Sequence, residues 1–238
     1  MRILITNDDG INASELIPLV KWAMKLGEVV VAAPKVEQSG KSHGIEIHKA
    51  FEVKQVDLVE GVRAYAVDST PADCVRFAIL GLKEKFDLVI SGINRGLNIG
   101  MDIMYSGTVA AVFEAAALEV KAMAVSTEPK FYEGAAGQMD RIWAYMTQNK
   151  LFDIHPIYNV NFPKEAGPIR ITKQGGPYYS DDFLPQENDM YLPQGKDVFA
   201  ESGNMDIDTD AVLRGGFTSI MPLSLSRADM TVFEKLKK

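Results

Sequence analysis

The sequence predicts an α/β fold: a Rossmann-like, doubly wound, mostly parallel sheet with helices on both faces and a projecting hairpin towards the C-terminus. Three observations carry this. Short apolar runs alternate along the chain with helical patterns. The runs are continuously apolar rather than alternating, as strands covered on both faces are. Polar and glycine-rich clusters follow the first strand, the second and a later one, at the strand ends where open α/β sheets bind ligands.

The elements follow in order. Residues 3–6 read as a strand, and Leu16, Leu19, Val20 and Ala23 mark the apolar face of a helix ending near Gly27. Residues 29–33 form a buried strand stopped by Pro34. Residues 45–59 alternate without a helical stripe, which predicts one or two strands, and residues 64–67 predict another. Pro71 suits a first helical turn, opening a helix through Leu82. A strand at 88–90, a helix over 106–120, a strand at 122–125 and a helix around 138–147 come next. Further strands fall at 157–162 and 169–172. Residues 175–203 break the rhythm with Pro177, Pro185, Pro193 and five aromatics, too aromatic for a disordered linker. They predict a projecting hairpin that covers a site or reaches a partner subunit. A helix at 208–213, a strand at 218–223 and a solvated basic tail close the chain.

With 238 residues, 47% of them hydrophobic, the chain has ample material for one large domain over 1–238. A net charge of −7 argues against bulk nucleic acid as a partner. Cys74, the only cysteine, has no internal disulfide partner, which fits a reducing compartment. No apolar leader or span of transmembrane length is visible, so no membrane partner is expected and the expected compartment is the cytoplasm.

The chemistry concentrates after the strands. Asn7-Asp8-Asp9-Gly10 ends the first one. Two adjacent carboxylates at the mouth of a buried strand need pairing or a cation, and the Gly10 turn lets them converge. The bland alternative is a strand-to-helix turn with one Asp as a cap. Gln38-Ser39-Gly40 follows the second strand, and Ser91-Gly92 with Asn94, Gly96, Asn98 and Gly100 follows the strand at 88–90. Opening on one rim, these loops offer two carboxylates, a hydroxyl and an amide carbonyl, an oxygen shell suited to Mg²⁺ or Mn²⁺. The histidines His43, His48 and His155 lack zinc spacing.

Ser106 is a good N-cap, and small residues at Gly107 and Thr108 leave backbone N–H groups open to an anion. Taken alone, these residues read first as a well-capped helix. Gly40-Lys41-Ser42 imitates the end of a P-loop, but Lys35 stands where its first glycine belongs and a strand-like run follows.

These motifs, in this order, closely resemble the survival-protein SurE family of metal-dependent nucleotidases. Besides the segments above, Ser69-Thr70-Pro71-Ala72-Asp73, Tyr105-Ser106-Gly107-Thr108-Val109, Asn159-Val160-Asn161-Phe162-Pro163 and Thr209-Asp210 carry the likeness. The resemblance implies that Asp8, Asp9, Ser39 and Asn94 ligate one divalent metal ion per subunit, and that Asn98 with Ser106, Gly107 and Thr108 holds the substrate phosphate. It implies removal of phosphate from nucleoside 5′- and 3′-monophosphates, with short polyphosphate as a side substrate. It further implies a homodimer or homotetramer that exchanges C-terminal segments, here residues 224–238. The resulting mechanism is attack by a metal-activated water. Asp8 or Asp9 accepts its proton, and Asn98, Ser106 and Thr108 stabilise charge on the phosphoryl oxygens. The rival reading is a non-catalytic metal- and nucleotide-binding regulatory module.

Overall fold

The computed structural model describes residues 1–163 and 167–237. In chain order the elements are β1 (Arg2–Thr6), α1 (Leu16–Ala23), β2 (Glu28–Pro34), β3 (Val53–Val56), β4 (Arg63–Val67) and α2 (Pro71–Arg76). Then come β5 (Leu88–Arg95), α3 (Gly107–Ala117), β6 (Lys121–Thr127), α4 (Met139–Gln148), α5 (Leu151–Ile154), β7 (Ile157–Phe162) and β8 (Ile169–Ile171). The last are β9 (Tyr179–Pro185), β10 (Tyr191–Asp197), α6 (Asp208–Leu213), β11 (Thr218–Pro222) and α7 (Met230–Leu236).

Nine strands make one sheet in the order β3-β4-β2-β1-β5-β6-β7-β11-β8. The central pairings from β4 through β7 are parallel, while β3 and β11 run antiparallel to β4 and β7. The doubly wound α/β fold that the continuous apolar runs predict is therefore present.

Strand alternation divides the core in two. Ile3 and Ile5 of β1 face one side, where Leu16, Leu19 and Trp22 of α1 and Met139 and Ile142 of α4 pack on Val29 and Val31. Leu4 faces the other, with Val30, Val89, Cys74 and Val75 of α2, and Val109 and Val112 of α3. Cys74 is fully buried in this second layer, and burial pushes its thiol well above the usual range.

The structure adds detail to three of these readings. Of residues 45–59 only Val53–Val56 joins the sheet. The stretch before it is drawn off by polar contacts, Glu46 N donating to Asp73 Oδ2 at 2.8 Å. The helix opened by Pro71 is α-helical only to Arg76 and continues as a π-type turn over Phe77–Gly81, closed by Leu82 N donating to Phe77 O at 2.9 Å. Neither Asp8 nor Asp9 caps α1, whose entry at Glu15 has no side-chain cap.

Within 175–203, β9 and β10 form an antiparallel hairpin from the Tyr179–Asp197 pair to the Pro185–Tyr191 pair. Almost every side chain on it is exposed, including Phe183, Leu184, Tyr191 and Leu192. Exposed Val232, Phe233 and Leu236 give α7 a similar unpartnered surface. Lys238, the last residue of the basic tail, lies outside the described residues. No helix among the described residues is long and apolar enough to cross a membrane.

Candidate active site

The site forms where β1, β2 and β5 end beside the start of α3. Parallel pairing aligns Thr6 of β1 with Ser91 of β5, so the segments after them emerge at one edge. The Asn7 side chain closes the first turn on itself. Its Nδ2 donates to Gly10 O at 2.9 Å, and Gly10 N donates to its Oδ1 at 3.1 Å. Gly10 has φ +97°, a conformation that glycine adopts without strain.

Asp8 is only 4% exposed. Its Oδ1 accepts the Thr108 hydroxyl, and its Oδ2 accepts Thr108 N at 3.2 Å. The start of α3 is thus laid directly on the carboxylate. Gly107 makes that approach possible, because a Cβ there would lie 3.0 Å from Asp8 Cβ and 3.2 Å from Asp8 Oδ2. Burial, with a smaller contribution from the Asp9 charge, pushes the Asp8 carboxyl up to about 6. Asp9 is half-buried, and its Oδ2 accepts Arg95 N at 3.0 Å. Its carboxyl is also raised, by burial first and by the nearby Glu37 charge.

The β2 loop joins through Gln38 N, which donates to Asp8 O at 2.8 Å. Ser39 is exposed, and its hydroxyl donates to Glu37 Oε1 at 2.6 Å rather than to the Asp pair. Asn94 donates Nδ2 to Gly96 O at 2.8 Å, which commits the amide nitrogen and leaves the carbonyl oxygen as its acceptor end.

Asn98 is held on the neighbouring wall. Its N–H donates to Asn161 Oδ1 at 2.8 Å and its Nδ2 to Ser126 Oγ at 2.8 Å. Its carbonyl accepts from Asn159 Nδ2 and Asn161 Nδ2 at 2.8 and 2.9 Å. The reading of the sequence gave Asn159, Asn161 and Ser126 no role. The available signal was two asparagines at i and i+2 on an otherwise apolar strand, which places both on one buried face.

Ser106 caps α3, its Oγ accepting Val109 N at 3.1 Å. Thr108, expected as a phosphate contact, has both its hydroxyl and its N–H engaged with Asp8. Ser106 also lines a cavity of about 830 Å³ with Met101, Met104 and Phe113 among its walls. Asp208, a further residue given no role from the sequence, fixes the next loop. Its carboxylate accepts Gly100 N at 2.9 Å and Gly175 N at 2.7 Å.

The donor set fits a hard divalent cation. It consists of oxygen atoms only. Two neighbouring carboxylates are both raised by burial, and neither makes an ion pair among the described residues. A bound cation would offset the burial that raises both carboxyls.

Comparisons with known proteins identify the family. The family described as "Survival protein SurE" matches residues 3–181. A protein of Caldanaerobacter subterraneus named 5′-nucleotidase SurE is 37% identical over 99% of this chain and 95% of its own length. One of Clostridium beijerinckii with the same name is 32% identical over 100% and 98%. The crystal structure of the SurE protein from Aquifex aeolicus superposes with a TM-score of 0.79 at 29% identity, covering 100% of this chain and 98% of that one. By sequence over most of its length, and by the layout of its sheet, this chain belongs to the SurE family.

Proposed function

We propose that the protein is a metal-dependent phosphomonoesterase that hydrolyses nucleoside monophosphates, 5′ and 3′, to nucleoside and phosphate, with short polyphosphate as a side substrate. The observation that carries this is the Asp8–Asp9 pair, Asp8 buried and Asp9 half-buried, both raised by burial and with Asp8 laid against the N-terminus of α3. The names of its relatives support the nucleotide as substrate.

Asp8, Asp9 and Asn94 would hold one Mg²⁺ or Mn²⁺, with Ser39 completing the set once its hydroxyl turns from Glu37. That ion, when bound, supplies Lewis-acid polarisation of the phosphoryl oxygens and a water of lowered pKa. The chain's own groups do the rest. The Ser106 hydroxyl and the positive N-terminal end of α3 at Gly107 and Thr108 receive the phosphate, and the Asn98 amide, held by β7, donates to an equatorial oxygen. Thr108 keeps Asp8 oriented. Asp8 or Asp9 accepts the proton of the attacking water.

We further propose a cytoplasmic homodimer or homotetramer in which residues 224–238 exchange between subunits and the hairpin contributes contacts. The exposed apolar side chains of β9, β10 and α7 support this.

Phosphate release from a panel of nucleoside monophosphates, measured with Mg²⁺, with Mn²⁺ and with EDTA, tests the reading. Wild type should release phosphate only with metal, and Asp8→Asn should release none above background. Saturable nucleotide binding without turnover under every metal would replace this reading by a binding module.

A further inference from the structure

The loop after β2 carries a histidine that the mechanism above does not use. His43 Nε2 lies 2.8 Å from Glu114 Oε2, and the other Glu114 oxygen accepts Arg76 Nη1 at 3.0 Å. Glu114 is 7% exposed and sits on α3, two turns beyond Ser106. The His43 contact, helped by Arg76, holds its carboxyl below the usual range against the opposing effect of burial. An ionised Glu114 accepts the Nε2 proton, so Nδ1 is the nitrogen left to act; it makes no hydrogen bond among the described residues. The ring stacks on Phe113 with centroids 6.4 Å apart. The loop itself is strapped to the turn before α3, Ser42 N donating to Tyr105 O at 3.0 Å and Ser42 Oγ to Met104 O at 2.6 Å. His43 and Ser106 therefore line the same cavity of about 830 Å³.

The start of α3 has two sides. Gly107 lies against Asp8, while Ser106, one residue earlier, lines the cavity. In-line displacement at phosphorus puts the entering and leaving oxygens on opposite sides. A phosphate on this helix terminus, attacked from the carboxylate side, directs its leaving oxygen into the cavity, which has room for a nucleoside. The charged groups around His43 are Glu114 on α3, Arg76 and Asp73 on α2, Lys41 on its own loop and Arg227 of the C-terminal segment. Among the cavity's ionisable side chains, His43, Lys173 and Arg227, only the imidazole belongs to a class that exchanges protons readily near neutrality.

We propose that His43, positioned by Glu114, is the proton donor to the leaving nucleoside oxygen. The inference rests on the phosphomonoesterase reading. In the step, a water oxygen bonds to phosphorus as the bond from phosphorus to the ribose oxygen breaks. The electron pair of that bond goes to the ribose oxygen, which takes the Nδ1 proton. The water's proton leaves through the Asp pair to solvent, from which the imidazole is recharged.

The test compares two substrates with Mn²⁺ present: a nucleoside 5′-monophosphate, whose alkoxide needs a proton to leave, and p-nitrophenyl phosphate, whose phenolate does not. His43→Gln should lower kcat/KM on the nucleotide by ~10²–10⁴-fold, the range of a lost general acid, and on the aryl phosphate by under about tenfold. Glu114→Gln should show the same asymmetry, smaller in size. It carries the comparison alone if His43→Gln lowers the melting temperature. Equal losses on both substrates would mean that the pair merely ties the loop to α3 and would overturn the proposal, as would no loss on either. Failure of wild type to release phosphate from either substrate would overturn the phosphomonoesterase reading first, and this inference with it.

Discussion

Asp8 sets an energetic problem that the free protein does not solve. Burial opposes its ionised form and pushes the carboxyl from an ordinary 3.8 up to about 6. A group raised on folding contributes its stability fully below its unfolded pKa and loses it as pH rises through the folded one. For Asp8 that window runs from about pH 4 to above pH 6, and the loss is on the order of 3 kcal/mol. In chelator, urea melts should show wild type losing that much more stability between pH 4 and pH 8 than Asp8→Asn. Parallel pH profiles for the two proteins would disprove the assignment. The pair itself was legible in the sequence, because two adjacent carboxylates after an apolar run have few structural uses. The tie from Thr108 was not, because nothing in the order of residues says that a hydroxyl 100 positions later turns inward to Asp8 instead of outward to a ligand.

At the scale of an element, α3 has two duties: it is a well-packed core helix and an anion site. Its stripe of Val109, Val112 and Ala115 buries against the sheet, and Ser106 both caps it and faces the cavity. Ser106→Ala should lower stability by ~1 kcal/mol through the lost cap and lower kcat by ~10²–10³-fold through the lost donor. Ser106→Asn separates the two, since asparagine also caps well. Thermal melts should then stay near wild type while turnover remains low, and restored turnover would reduce Ser106 to a cap. Elements of this kind were readable from periodicity and capping residues. The stretch at 45–59 was readable as one or two strands, but not where its strand, Val53–Val56, would lie. Its alternation is compatible with a strand, but Glu46 and Gly44 are claimed by Asp73 and Thr70 at the start of α2, a long-range competition that local pattern cannot weigh.

At the scale of the whole molecule, the sheet gathers the loops after β1, β2 and β5 on one edge, and the sequence foretold that edge through the general rule for open α/β sheets. It did not foretell that β11 would insert between β7 and β8, or that β7 would supply the asparagines that hold Asn98. Strand order depends on pairings between distant segments. The hairpin stands away from this body with its apolar side chains in water, an arrangement that isolated chains seldom keep. Removing residues 179–197 should reduce the mass measured by light scattering to a smaller assembly while leaving metal-dependent nucleotide hydrolysis measurable. An unchanged mass would place the subunit contacts elsewhere.

Cys74, sealed in the layer beneath α2, has a practical consequence. A thiol that is both enclosed and held in its protonated form reacts with an alkylating probe only when the core around it opens. The chain thus carries its own clock for that opening: the labelling rate of one sulfur reports how often α2 lifts from the sheet, without any added chromophore, and it can be read with and without metal to learn whether an ion at the far end of β1 quiets the centre of the fold.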